Sequence, residues 1–307
     1  MTRVAAVDLG TNVTRLLVAD VEDGRIETLS RSRVFTRLGE GVDSRRRLLP
    51  LPIARARNCL TDYRAEIERL GADRTLAVGT SAVRDAENGE AFLGEIEWSY
   101  GFATRLLSGD EEALLTFRGV ISGGRVPPGT LILDVGGGST ELIVTGEDGV
   151  ESHVSLDVGS VRLTERFGDD VEAVAAQVRS SLPDLDVGGA IGAAGTLTAL
   201  AALDIGTADH DPHRAHGHRL SRDTVEKQVD RLSGLTLHER RRVPGLEPER
   251  APVIVAGAVI VREILARYEL DGIEVSEHDL LDGATLEAAD LPEPEEGAAP
   301  PGAYVCC

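Results

Sequence analysis

The feature that most constrains this chain is a strand–turn–strand unit that occurs twice. In residues 131–149 an apolar segment ends at Asp134, a turn of three glycines and two hydroxyl residues follows, and a second apolar segment leaves the turn. Residues 3–24 contain the same parts in the same order, with Asp8 before the turn. A duplicated hairpin with an aspartate at each tip predicts two similar domains whose loops face one another across a cleft.

The residue types of the second turn suit a phosphate-binding loop. Gly136, Gly137 and Gly138 let backbone N–H groups converge without side chains in the way. Ser139 adds a hydroxyl donor, and the carboxylate of Asp134 can hold Mg²⁺ directly or through water beside the phosphate. For either loop alone, a glycine-rich hairpin that merely turns is the alternative interpretation. The presence of two such loops favours binding.

Composition and charge narrow the class of protein. A chain of 307 residues that is 42% hydrophobic can bury the cores of two domains. The formal net charge of −20 argues against nonspecific binding to nucleic acid or to acidic membranes. The sequence has no apolar run long enough to span a bilayer, begins directly with a strand pattern and contains no disulfide framework, so we expect a cytoplasmic protein.

Arg84 is a candidate phosphate ligand. A strand pattern over residues 75–78 ends at a Gly-Thr-Ser turn, and a helix begins there, with Arg84 in its first turn or two. A positive side chain in that place opposes the helix dipole, and a phosphate above the helix N-terminus would remove the conflict. A surface ion pair is an equally open role for Arg84.

Three acids, Asp110, Glu111 and Glu112, begin the next helix. Ser108 and Glu111 fit a capping box, and acids in a first turn favour the helix dipole. These structural roles account for the segment without catalysis. The alternative is that one of the acids is a general base whose pKa is tuned by burial.

Three further segments could bind ligands. Residues 192–196 form a glycine turn before a helix, which is either an anion site or a structural turn. Four histidines fall within residues 210–218, but Pro212 and Gly217 break any helical face, so a plain loop is favoured over a metal site. The arginines at 240–242 could contact an anionic chain or simply solvate a helix.

Ordered motifs along the chain resemble the exopolyphosphatase/guanosine pentaphosphate phosphohydrolase family. The resemblance covers residues 3 to about 289 and rests on VDLGTNVTRLLV, RLGEG, TSAVRDAENGEAF, LSGDEEALLTFRGV, LDVGGGSTELIV, DVGSVRLTE, GAAGTLTALAAL, VPGLEPERAPVIVAGAVI and VSEHDLLDGA. It implies an α/β protein with two ribonuclease-H-like domains of the actin-like ATPase fold around an interdomain phosphate-binding cleft. We assign the domains to residues 1–124 and 125–290, followed by a disordered, acidic and proline-rich tail over residues 291–307.

The resemblance also implies roles for individual residues. Glu111 would be the base that activates water, with Glu112 the less favoured choice, and Arg84 would grip phosphoryl oxygens. Asp134 and Asp8 would hold Mg²⁺. The implied phosphate-binding residues are Asp8, Gly10, Thr11, Asn12, Gly136, Gly137, Gly138, Ser139, Glu141, Gly195 and Thr196. The chain departs from the family pattern at Thr11, where serine is usual, and at Ala194, where glycine is common.

The expected activity is Mg²⁺-dependent release of terminal orthophosphate from inorganic polyphosphate. Hydrolysis of the 5′ phosphate of guanosine pentaphosphate is the nearest alternative. An ATP-dependent kinase or a nucleotide-switched protein on the same fold is a different class, which would require an adenosine pocket. We expect no nucleic-acid or membrane partner, and a homodimer is left open.

Overall fold

The computed structural model describes residues 1–206 and 212–292, which divide into two compact units. The first unit contains Met1–Ser122 and the described residues from Leu280 onwards, and the second contains Gly123–Asp279. Among the residues described, no helix has both the length and the apolarity to cross a bilayer. Each unit is built on its own β-sheet.

The first unit is a five-stranded sheet in the order β3-β2-β1-β4-β5. Strands β1 to β3 are antiparallel neighbours, whereas β1, β4 and β5 run parallel. Its elements up to residue 122 are β1 (Thr2–Leu9), β2 (Thr14–Glu22), β3 (Arg25–Val34), α1 (Val42–Arg45), α2 (Pro50–Leu70), β4 (Arg74–Gly79), α3 (Ser81–Arg84), α4 (Gly89–Tyr100), β5 (Ala103–Leu106) and α5 (Gly109–Ser122).

The second unit is a six-stranded sheet. Its elements are β6 (Thr130–Val135), β7 (Thr140–Gly146), β8 (Gly149–Leu156), α6 (Ser160–Phe167), α7 (Val171–Ser181), β9 (Gly189–Ala193), α8 (Ala194–Ile205), α9 (Pro212–Ala215), β10 (Arg219–Ser221), α10 (Arg222–Ser233), α11 (Leu237–Arg240), α12 (Ile254–Arg267) and β11 (Gly272–Val275). The strand order is β10-β11-β9-β6-β7-β8.

The two sheets repeat one topology. Read from β8, the second sheet has the order β8-β7-β6-β9-β11, which matches β3-β2-β1-β4-β5 strand by strand and direction by direction. The extra strand β10 only adds an antiparallel edge. The duplicated hairpin and the two ribonuclease-H-like domains predicted from the sequence are therefore confirmed. The cleft expected between them stays a prediction.

Both faces of the first sheet are covered at its central strand β1, which explains why β1 reads as a continuous apolar run from Val4 to Val7. On β1, Ala5, Val7 and Leu9 belong to the apolar cluster that includes α2 and α4. The alternate residues Val4 and Ala6 belong to a second cluster on the opposite face.

The final helix, α13 (Leu280–Ala289), corrects the predicted domain boundary. We expected residues 125–290 to form the second domain, but this helix belongs to the first unit. Its residues Leu281 and Ala284 join the cluster of Val4 and Ala6, and the buried Asp282 accepts a hydrogen bond from Arg31 at 2.7 Å. The helix therefore belongs to the first unit because its apolar residues pack there, although it follows the second unit in sequence.

Two predictions fall wholly or partly on residues outside the described ranges. These are the tail, apart from positions 291 and 292, and the segment 207–211 of the histidine-rich stretch. Of the later histidines, His218 contacts Asp204 through Nε2 at 2.7 Å, and the His216 ring packs edge-on against His278. Within the described ranges, no group of three potential ligands could hold a metal.

Candidate active site

Three parallel strands of the first unit end side by side at one edge of the sheet. Asp8 is in register with Val78, and Gly79 is in register with Leu106. The loops that follow β1, β4 and β5 therefore emerge together, which is where open α/β sheets bind ligands. These loops lead to the predicted site residues of this unit.

The first of these loops is tight and largely buried. A Cβ added to Gly10 would lie 2.6 Å from the carbonyl oxygen of Val13, so only glycine fits there. The carboxylate of Asp8 is buried and accepts a hydrogen bond from Arg15 Nε at 2.8 Å. The Nδ2 atom of Asn12 is buried and donates to no acceptor in the part of the chain that the structure describes. A ligand oxygen would supply that acceptor.

Arg84 and Glu112 form a partly buried ion pair. The Nη1 atom of Arg84 donates to the carboxylate of Glu112 and, at 2.7 Å, to the carbonyl oxygen of Leu107. Only 5% of the Glu112 side chain is exposed, against 25% of the Arg84 side chain. A guanidinium thus holds a buried carboxylate at the edge of the sheet where the strands end.

The helix that carries Arg84 differs from the prediction. Helix α3 is a single turn, Ser81–Arg84, and Arg84 is its last residue. A cation at that end does not oppose the helix dipole, so the electrostatic conflict inferred from the sequence was wrong. The ion pair with Glu112 also lies deeper than the surface ion pair that we considered.

Glu111 has the capping role that its spacing indicates. Its carboxylate accepts a hydrogen bond from the Ser108 backbone at 2.8 Å, and its own N–H donates to Ser108 Oγ at 3.2 Å. Arg105 also donates to this carboxylate and pairs with Glu287. The Arg105 guanidinium and the Ser108 backbone N–H lower the pKa of Glu111 to about 2. A carboxylate of that kind is a weak proton acceptor.

In the second unit, Asp134 lies at the corresponding strand end, opposite Glu141 in the antiparallel register. Both side chains are buried, and Ser155 Oγ donates to Glu141 Oε1 at 2.7 Å. The two carboxylates project from adjacent strands. Asp8 has instead Arg15 opposite it in register, so the two copies of the hairpin carry different charges at the same place.

The glycine turn is held through its carbonyl groups. The oxygen of Gly137 accepts from Val161 N at 2.8 Å, and the oxygen of Gly138 accepts from Arg162 Nε at 2.7 Å. The N–H groups of Gly137 and Gly138 donate to no acceptor within residues 1–206 and 212–292. Two adjacent backbone donors of this type can bind an anion.

The glycine turn at residues 192–196, which we call the third loop, lies where β9 meets α8 and contains a strained residue. Ala194 has a φ of 66°, in the left-handed region that favours glycine. Thr196 Oγ1 donates to the carbonyl oxygen of Val135 at 2.9 Å, which fixes the start of α8 to the end of β6. The alanine that departs from the family pattern thus occupies a position where a glycine would be unstrained.

Arg250 is a candidate site residue that sequence reasoning missed. A Cβ added to Gly195 would lie 2.6 Å from Arg250 Nη2, so the guanidinium sits directly over the third loop. Arg250 is buried and pairs with Glu247 at 3.2 Å. Its motif, VPGLEPERAPVIVAGAVI, was part of the resemblance, but no role could be given to the arginine from spacing alone.

One arginine of the group at 240–242 has a structural role. Arg240 is 1% exposed and pairs with Asp169, while Nη1 also donates to the carbonyl oxygen of Ala251 at 3.3 Å. Only Arg241 and Arg242 are exposed. Arg240 therefore stabilises the second unit and is not a surface ligand for an anion.

Comparison with known proteins decides the family. The profile of the Ppx/GppA phosphatase family matches residues 17–291 of the chain. The chain is a member of this family. The match begins within β2 and includes residues of both units.

Individual relatives agree with this assignment. Exopolyphosphatase 2 of Mycobacterium tuberculosis is 38% identical over 94% of this chain and 99% of that protein. The crystal structure of an exopolyphosphatase-like protein is 32% identical, with a TM-score of 0.87 over 94% of this chain and 99% of its own. The guanosine-5′-triphosphate,3′-diphosphate pyrophosphatase of Vibrio atlanticus is 28% identical over 93% of this chain and 59% of that protein.

Proposed function

We propose that this Ppx/GppA family member is an exopolyphosphatase, which hydrolyses the terminal phosphoric anhydride bond of inorganic polyphosphate in a Mg²⁺-dependent reaction. The observation that carries the proposal is the buried Glu112 carboxylate held by Arg84, at the strand edge that also carries the Asn12 amide. The similarity to exopolyphosphatase 2 along nearly its whole length supports polyphosphate as the substrate.

In this proposal Glu112 replaces Glu111 as the general base. The Glu111 carboxylate already accepts hydrogen bonds from the Ser108 backbone N–H and from Arg105, and its pKa of about 2 makes it a weak base. Glu112 is buried and pairs with Arg84, a positively charged side chain that could also contact a phosphoryl group. A general base must lie beside the attacking water, and a carboxylate next to the arginine that would grip the phosphate has that place.

The reaction follows from these positions. A water molecule attacks the terminal phosphorus in line, and its proton passes to the Glu112 carboxylate. The anhydride P–O bond breaks, and its electron pair leaves with the shortened chain. Arg84 orients Glu112 and offsets the negative charge on the phosphoryl oxygens. The Asn12 amide binds a non-reacting phosphate oxygen.

The carboxylates of the second unit fit a magnesium ion that is bound mostly through substrate. Proteins commonly hold Mg²⁺ through one or two carboxylates, with phosphate oxygens and water as the other ligands. Asp134, with Glu141 opposite it in register, is a pair of that kind. Asp8, whose Oδ2 accepts a hydrogen bond from Arg15, is the other candidate ligand. When bound, the ion would supply positive charge to the phosphoryl oxygens.

Guanosine pentaphosphate is the second candidate substrate. The similarity to the Vibrio atlanticus enzyme favours it, because that protein acts on guanosine-5′-triphosphate,3′-diphosphate by name. The reacting group is again a terminal phosphoric anhydride, so the same base and the same arginine would serve both substrates.

The test is phosphate release from polyphosphate, guanosine pentaphosphate and ATP, assayed side by side over a Mg²⁺ titration. We expect polyphosphate to have the highest kcat/KM and activity to require Mg²⁺. Preferential hydrolysis of guanosine pentaphosphate would favour the second candidate. Turnover of ATP alone would favour the kinase or nucleotide-switched class and would contradict the proposal.

A further inference from the structure

Two exposed arginines in the first unit lack compensating charges. Neither Arg45 nor Arg47 forms a side-chain hydrogen bond or ion pair with any residue in the ranges that the structure describes. Arg46 lies between them and is 3.9 Å from Asp85. In a chain of net charge −20, two unpaired guanidinium groups two residues apart form a local positive site for an anion.

These arginines lie at the end of residues 36–47, a segment that we call the arginine loop. One side of this loop is hydrogen-bonded to residues 11–12, in the loop that follows β1. The N–H of Arg37 donates to the carbonyl oxygen of Asn12 at 2.9 Å. The N–H of Gly39 donates to the carbonyl oxygen of Thr11 at 2.8 Å, and a Cβ on Gly39 would lie 2.3 Å from Thr11 Cγ2. The arginine loop and residues 11–12 are therefore in direct van der Waals contact.

The other side of the arginine loop is fixed to the segment that follows Arg84. The N–H of Glu87 donates to the carbonyl oxygen of Arg46 at 2.8 Å. The side chain of Asn88 bonds both the N–H and the carbonyl oxygen of Leu48, at 2.8 and 3.1 Å. The backbone that presents the two arginines is thus held in place by hydrogen bonds at both ends.

This placement puts the arginines a short distance from the site. Arg45 follows Gly39 by six positions, a span of at most about 20 Å even for an extended chain. The span is shorter here because Val42–Arg45 is a helical turn. A linear chain of phosphates that is held at one end by the Asn12 loop is long enough to span a distance of this size.

We propose that Arg45 and Arg47 bind internal phosphates of a polyphosphate chain whose terminal phosphate lies at the Arg84–Glu112 pair. This inference rests on the proposed function and adds a preference for long chains. Guanidinium groups suit the task because each can donate two hydrogen bonds to phosphate oxygens and stays charged at any working pH.

The experiment compares the wild-type protein with two double variants of equal charge change. The test pair is Arg45→Glu with Arg47→Glu, and the matched control is Arg222→Glu with Arg231→Glu, two exposed arginines of α10 in the second unit. Kinetics are measured with long-chain polyphosphate and with tripolyphosphate. Binding of fluorescently labelled long-chain polyphosphate is measured separately by anisotropy, and a thermal melt checks folding.

We expect the test pair to raise KM for long chains by about tenfold, with kcat unchanged. The Kd for labelled polyphosphate in the anisotropy assay should rise by a similar factor. Tripolyphosphate kinetics and the control pair should stay within about twofold of wild type. An unchanged KM for long chains, or equal losses in both pairs or with both substrates, would overturn the inference. If the glutamate pair lowers the melting temperature, the Arg45→Gln, Arg47→Gln variant takes its place.

The binding measurement separates this inference from the proposed function. If the wild-type protein releases no phosphate from polyphosphate but binds it through Arg45 and Arg47, the proposed function is wrong and the arginine site is supported. If polyphosphate is hydrolysed and the test pair binds it like wild type, the site fails and the function stands.

Discussion

Arg84 donates a hydrogen bond to the buried carboxylate of Glu112, while the neighbouring Glu111 caps its own helix. The two glutamates are adjacent in sequence, but successive residues of a helix point about 100° apart. One side chain is therefore directed to Arg105 and Ser108, and the other to Arg84. This difference is what moves the base assignment from Glu111 to Glu112.

Substitution of the two glutamates should separate their roles. We expect Glu112→Gln to lower kcat for phosphate release by about 10²- to 10⁴-fold and Glu111→Gln to lower it by less than about tenfold. Glutamine is close in shape to glutamate, so both variants should fold. Steady-state kinetics with polyphosphate measure the effect, and a larger loss for Glu111→Gln would restore the original assignment.

The depressed pKa of Glu111 predicts how stability depends on pH. Its pKa is about 2 in the folded protein, against an ordinary value of 4.5 for a glutamate. The ionised form stabilises the fold fully above pH 4.5, and this contribution is lost as the pH falls towards 2. Urea unfolding at a series of pH values should show wild type more stable than Glu111→Gln at neutral pH. This difference in the free energy of unfolding should vanish near pH 2. A difference that does not change with pH would contradict the prediction.

Replacing Ala194 should relieve backbone strain. The left-handed φ of 66° costs an alanine more than it costs glycine. We expect Ala194→Gly to raise the free energy of unfolding by about 0.5 to 1 kcal/mol, measured by urea denaturation. Ala193→Gly is the control: its φ is −106° and it is buried, so glycine should destabilise there. Destabilisation by Ala194→Gly would show that the lost methyl contacts outweigh the strain.

A methyl group at Gly195 should displace the guanidinium of Arg250, since the two would be 2.6 Å apart. If Arg250 binds phosphate, Gly195→Ala and Arg250→Gln should each raise KM for polyphosphate by about tenfold, and the double variant should lose little more. The control is Gly188→Ala, where an added Cβ meets no atom within 4 Å. Additive losses would indicate that the two residues act independently.

The repeated hairpin could be recognised from the sequence because its signals are local. Apolar segments, an aspartate and a turn follow one another within about twenty residues in each copy. The capping box of Ser108 and Glu111 was predictable for the same reason, since it joins residues three apart. The proposal that the tips of the two hairpins meet across a cleft was not local, and it stays a prediction.

The missed features depend on contacts between distant parts of the chain. Arg84 and Glu112 are 28 residues apart, and nothing in the spacing says which acid faces the arginine. Arg250 reaches Gly195 from a segment beyond α10, so its place over the third loop could not be read from its motif. Helix α13 follows the second unit in sequence but fills an apolar surface on the first.

The sequence by itself determined the two sheets, the glycine turns with their aspartates, and the family resemblance, because strand period, turn chemistry and motif order depend on neighbouring residues. Only the tertiary structure decided that Glu112 rather than Glu111 is buried against an arginine, that Arg250 covers the third loop, and that the last helix belongs to the first unit. The physical reason is that burial and ion pairing depend on which distant surfaces pack together.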